Sequence, residues 1–93
     1  MTKRFAATAG RRDANEGEIV AALLKVGASV IPITQGGGIP DLLVGFRGAT
    51  VLMEIKTGKR GLNALQTEWH EAWRGTPAVL VHDVEGALRE IGL

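Results

Sequence analysis

The residues able to do chemistry cluster in one stretch, GIPDLLVGFRGATVLMEIKTGK, residues 38–59. It contains two apolar runs, Asp41–Phe46 and Ala49–Lys56, separated by Arg47-Gly48, which reads as a β-hairpin. A turn through those two residues sets Phe46 against Ala49, Val44 against Val51 and Asp41 against Glu54. Opposed side chains on one face of such a pair have Cβ atoms about 4.5–5.5 Å apart. The two-residue strand period puts Lys56 on the face of Glu54. Two carboxylates and an ammonium therefore gather at one end of the hairpin. The acids repel each other, and a hard divalent cation relieves that repulsion. Mg²⁺ takes oxygen ligands and keeps several waters for a substrate phosphate. Carboxylate pair, lysine and metal together suit phosphodiester hydrolysis.

Each residue also has a structural reading. Asp41 after Pro40 could end a loop, and Glu54 with Lys56 could be an ion pair on a solvated edge. Against this, Glu54 interrupts the apolar run VLMEI, where an unpartnered buried charge is costly. Glu16 is either the reciprocal half of a capping box begun by Asp13 or a catalytic acid. Gln66 can be the reciprocal partner of Asn63 in the same way. Trp69 and Trp73 read as core, His70 as surface, and His82 as either.

Other chemistries fit poorly. There is no cysteine, hence no thiol nucleophile, disulfide or thiolate metal site, which suits a reducing, cytoplasmic compartment. Neither histidine belongs to a zinc-ligand spacing. The glycines of QGGG match neither the phosphate-loop nor the dinucleotide pattern, so no nucleotide cofactor is expected. No apolar run approaches membrane-spanning length, and the opening residues carry no apolar stretch of a secretion signal. The net charge of +1 is not that of a basic architectural DNA binder. Cations nevertheless outnumber acids nine to five over residues 1–61, while acids lead five to two over residues 62–93. Arg11 and Arg12 in the opening stretch, with Lys59 and Arg60 in the TGKRG loop, could face a polyanion.

The elements expected to position these residues follow from periodicity. Residues 1–12 read as a loose basic leader and 13–93 as one domain. Helix is predicted over 13–26, an irregular edge strand over 28–34 because it contains Pro32, and the hairpin after the QGGG loop. Asn63 and Gln66 open a helix over 63–74, which Gly75 and Pro77 end. Ala78–His82 reads as a buried strand, and Asp83 caps a last helix with Val84, Ala87, Leu88 and Ile91 on its apolar face. The order αβββαβα predicts an α/β fold, a mixed sheet flanked by helices with a right-handed crossover between residues 49 and 82.

A glutamate in the first helix, then Gly38-Ile39-Pro40-Asp41, then Glu54-Ile55-Lys56 and LNALQTEW at 62–69, resembles the PD-(D/E)xK nuclease superfamily. Within it the chain is most similar to the virus-type replication-repair nuclease (VRR-Nuc) domain in its compact stand-alone bacteriophage form. The likeness runs from Glu16 to His82, with twelve residues between Asp41 and Glu54. It implies a restriction-endonuclease-like αβββαβ core with a short C-terminal helix. It implies Asp41, Glu54 and the Ile55 carbonyl as ligands of Mg²⁺ or Mn²⁺, and Lys56 assisting the attacking water. Glu16 would approach directly or through water, and Gln66 would stand close by. Lys59, Arg60, Arg11 and Arg12 would meet DNA phosphates, which position DNA without reading its sequence. The activity implied is a metal-dependent DNA endonuclease leaving a 5′-phosphate, selective for branched DNA such as Holliday junctions and working as a homodimer. The alternatives are a non-catalytic DNA-binding or assembly module with the same fold, a structural protein whose acidic pair is incidental, and a restriction-type enzyme lacking a visible recognition insert.

Overall fold

The computed structural model describes residues 13–93. The leader expected over residues 1–12, with Arg11 and Arg12, lies outside the described residues. The elements are α1 (Glu16–Lys25), β1 (Ser29–Pro32), β2 (Leu42–Phe46), β3 (Ala49–Ile55), α2 (Ala64–Ala72), β4 (Val79–Val81) and α3 (Val84–Glu90). The sheet order is β1-β2-β3-β4, with the first three strands antiparallel and β4 parallel to β3. This is the α/β arrangement expected, a mixed sheet with flanking helices and a short C-terminal one.

The hairpin pairs as expected, Phe46 with Ala49 and Val44 with Val51. Arg47 and Gly48 both have positive φ, 49° and 81°, so the two-residue turn takes the primed form whose twist matches the strands. The Arg47 guanidinium lies 4.8 Å from the Phe46 ring centre, an attraction that helps hold this uncommon arginine conformation.

Alternation along the strands then sorts their side chains. Leu42, Val44, Met53, Ile55 and Val81 are buried on one face with Ile19 and Leu23 of α1 and Ala87 of α3. Each large aliphatic side chain so buried contributes about 1.5–3 kcal/mol. The other face carries Leu43, Thr50, Leu52 and Glu54, and α2 lies over part of it. No residue of α2 is buried and Trp73, just after it, is exposed, which corrects the expectation that Trp69 and Trp73 are core. The two indoles stack on each other at 4.9 Å instead. β1, bearing Pro32, is an edge strand as predicted. β4 is the other edge, and only Val81 in it is buried, so it is less enclosed than its apolar sequence suggests.

The start of α1 also differs from expectation. The helix begins at Glu16 with Asn15 at the N-cap position and no side-chain cap. Asp13 makes no capping box, because its carboxylate accepts hydrogen bonds from the backbone N–H and the hydroxyl of Thr57. Asn15 takes a different role: its amide donates to the carbonyls of Lys56 (3.3 Å) and His82 (2.8 Å). The entry to α1 is thereby tied to the C-terminal ends of β3 and β4, and the Lys56 N–H adds a 2.9 Å bond to the Val81 carbonyl.

Candidate active site

The regular β2–β3 ladder ends at Leu42 and Met53. One residue earlier, the Asp41 N–H returns to the Met53 carbonyl (3.0 Å) and the Asp41 carbonyl accepts from the Ile33 N–H (2.7 Å). With its backbone held from both neighbouring strands, Asp41 turns its carboxylate toward β3, where Oδ2 accepts the Ile55 N–H at 2.7 Å. The side chain thus occupies a backbone donor beyond the end of the ladder, which fixes its orientation. Pro40 before it is fully buried and offers no N–H to satisfy.

Gly38 explains why the approach to Asp41 is glycine-rich. Its φ is +83°, and a Cβ there would lie 2.8 Å from the Leu65 carbonyl carbon and closer still to its oxygen. Only a residue without a side chain lets the loop lie directly against the first turn of α2. That contact brings Gln66 over the sheet. Asn63 and Gln66 form the expected capping box: the Gln66 N–H donates to Asn63 Oδ1 (2.8 Å) and the Asn63 N–H to Gln66 Oε1 (3.0 Å). The remaining Gln66 group, Nε2, donates to Glu54 Oε2 at 3.0 Å. One amide therefore closes the helix and holds the carboxylate.

Glu54 is 1% exposed, and its Oε1 is buried without a hydrogen-bond donor. Burial pushes its pKa up from 4.5 to about 8. A side-chain hydrogen bond with Asp41 and that residue's charge push the same way, Asp13 adds to them, and the Lys56 charge opposes. Lys56 is itself 5% exposed. These groups line one open cleft of about 250 Å³, with Asp13, Asp41, Glu54, Lys56, Arg60 and Gln66 among its walls.

Of the residues singled out in the sequence, Asp41, Glu54, Lys56, Gln66 and Arg60 come together here. Ile55 contributes through its N–H to Asp41, and its side chain lies in the core. Glu16 is half-buried at the first turn of α1 and is not part of the cleft lining. Lys59 is exposed on the loop after β3, also outside the lining. Asp13 is the residue that sequence reasoning missed. Besides Thr57 it faces Arg60, whose guanidinium lies 3.7 Å from Oδ2, so it anchors the basic loop at the cleft edge. Nothing local in the sequence distinguishes this long-range role from a helix cap. His70 is half-buried with its Nε2 unpartnered, and burial lowers its pKa; it is less a surface residue than its position suggested.

The donor set fits a hard divalent cation. Glu54 presents an oxygen that no donor reaches, beside a second carboxylate already oriented by the backbone. Among the described residues no three His, Cys, Asp or Glu side chains form a metal-holding group. A cation here would rest on two carboxylates, completed by backbone carbonyl, water or substrate oxygen, which is how Mg²⁺ is commonly bound. The chain matches no family model, and no curated protein or solved structure matches it. Among the described residues no helix is long and apolar enough to cross a membrane.

Proposed function

We propose that the protein is a metal-dependent DNA endonuclease, acting on branched DNA such as Holliday junctions as a homodimer. The observation that carries this reading is Glu54: a carboxylate buried in an open cleft, with one oxygen lacking a donor, a second acid against it and a buried lysine alongside. A solvated ion pair would not need to bury the glutamate, and an incidental acid inside a sheet would not have a second carboxylate set against it. The preference for branched DNA and the two-fold assembly rest on the VRR-Nuc resemblance and on the small size of one domain.

Mg²⁺ or Mn²⁺ at Asp41 and Glu54, with the Ile55 carbonyl as the further ligand the resemblance implies, would supply Lewis-acid polarisation of the scissile phosphate and a more acidic water. The chain's own residues do the positioning. The Ile55 N–H orients Asp41, and Gln66 Nε2 orients Glu54. Lys56 offers a positive charge where charge develops on the phosphate oxygens. Arg60 can exchange its exposed contact with Asp13 for a backbone phosphate. Water adds to phosphorus, the bond to the 3′ oxygen breaks, and the products carry a 3′-hydroxyl and a 5′-phosphate.

Cleavage of duplex, flap, splayed-arm and four-way substrates with Mg²⁺ and with Mn²⁺ tests this. Cutting that needs the metal and is lost in Glu54→Gln and Lys56→Ala, with both variants folded, is the expected result. Salt-sensitive binding without cutting on any substrate would leave a non-catalytic DNA-binding module instead.

A further inference from the structure

A second groove, of about 310 Å³, opens on the same sheet face as the acidic cleft and is lined by Leu43, Thr50, Leu52, Trp73 and Thr76. Leu43 pairs directly with Leu52, and Leu52 stands two residues from Glu54 on β3. Two residues of strand span about 6.6 Å, close to one step of an unstacked nucleic acid strand. The floor of the groove is therefore the continuation of the floor under Asp41 and Glu54. The wall is continuous too, since Gln66 near the start of α2 overhangs the acids and Trp73 at its end lines the groove.

We infer that this groove is a nucleobase subsite, holding a base next to the phosphate bound in the acidic cleft; the inference rests on the proposed phosphodiester hydrolysis. Trp73 is 44% exposed, yet it is not loose. Its Nε1 donates to the Thr76 carbonyl (3.0 Å), its ring stacks on Trp69, and Gly75 leaves room for it, since a Cβ there would stand 2.8 Å from Nε1. A large aromatic held by these contacts and 44% exposed offers the surface that Trp69 and Gly75 leave uncovered to a flat ligand. The groove lining carries no charged side chain, and its side-chain hydrogen-bonding groups besides the indole are the hydroxyls of Thr50 and Thr76. That composition accepts the flat face of any base without selecting one.

Charge complementarity favours a polyanion over another apolar surface. Arg60 and Lys56 stand in the cleft, at one end of the shared floor. A strand laid from cleft to groove meets these cations at the cleft and the aromatic beyond them. A base must be unstacked to enter, so single-stranded or branch-point DNA would use the groove and intact duplex would not.

The test is steady-state cleavage by wild type, Trp73→Ala and Trp73→Phe. Two substrates are used: a branched DNA, and its analogue with abasic sites flanking the mapped cleavage position. Loss of one base–aromatic stack predicts a KM for Trp73→Ala raised about tenfold on the normal substrate, with kcat little changed. Trp73→Phe should recover most of this, and all three proteins should converge on the abasic analogue. Equal KM for wild type and Trp73→Ala on both substrates would overturn the inference. So would a change only in oligomeric state by ultracentrifugation, which would assign the groove to a second copy of the chain. A separate arm reads the indole fluorescence of Trp69 and Trp73 during titration with oligothymidylate and with an abasic oligomer of equal length. Quenching by the first alone, diminished in Trp73→Phe, supports the subsite even if no cleavage is found; equal responses to both oppose it.

Discussion

Replacing Glu54 by glutamine should stabilise the metal-free protein at alkaline pH. The glutamate sits at a pKa of about 8 against 4.5 in its ordinary state, chiefly because burial disfavours its charge. A carboxyl group whose folded value lies above its unfolded value binds more protons when folded. Its contribution is then largest below pH 4.5, falls as pH rises, and is lost once pH passes about 8. At about 1.36 kcal/mol per pH unit, the interval bounds this loss at about 5 kcal/mol, a large share of the roughly 5–15 kcal/mol typical of a domain. Glu54→Gln keeps the shape and an acceptor for Gln66 Nε2 but cannot ionise. Urea unfolding in EDTA at pH 5, 6.5 and 8 measures both proteins. They should be close at pH 5, with the variant ahead by a few kcal/mol at pH 8. His70, whose pKa is lowered by burial, works in the opposite direction below about pH 6.5, and it cancels in the difference between the two proteins. Adding Mg²⁺ at pH 8 should restore wild type and leave the variant nearly unmoved. Parallel pH profiles for the two proteins would refute the claim that Glu54 holds a strained charge, and with it the case for a cation.

Gly38→Ala should cost about 2–4 kcal/mol in urea unfolding, combining a disfavoured φ with displacement of Leu65, and should also reduce cleavage because α2 carries Gln66. Gln66→Glu retains an oxygen for the Asn63 N–H but turns an oxygen rather than a donor toward Glu54. The expected result is a helix that still forms by circular dichroism, a lower Tm at pH 8 than at pH 5, and cleavage reduced about 100-fold or more. Asn15→Ala removes the donor shared by the Lys56 and His82 carbonyls. It should cost about 1–3 kcal/mol, seen as faster amide hydrogen exchange at the start of α1.

Much of the site was legible because the hairpin burial fixes its register. Leu42, Val44, Met53 and Ile55 must all face α1, and a slip by one residue would turn every one of them to the other side. Asp41 then has little freedom beyond the end of the ladder. The α2 capping box was legible for a similar reason, since Asn63 and Gln66 satisfy each other locally. Asp13 and Glu16 show the same spacing and fail. Their competition was tertiary: the Thr57 N–H and hydroxyl, forty-four residues on, outcompete the helix end for Asp13. Trp69 and Trp73 misled in another way. An apolar stripe says that a face can be covered, and among the described residues no layer covers this one. The second role of Gln66 was visible only as two separate readings, and nothing in either indicated that one amide could serve both.

That shared amide has a dynamic consequence. Helix α2 is anchored by no buried residue, so it belongs with the segments that open first in native-state fluctuations. Each time its leading turn frays, Glu54 loses its donor and is left to ionise or protonate alone. Conversely, an ion captured between the acids would hold the carboxylate in place and, through it, wind the helix. Local melting of a surface element and occupancy of the cleft thus become one thermodynamic variable, and amide exchange at Gln66 would report ion binding from outside the cleft.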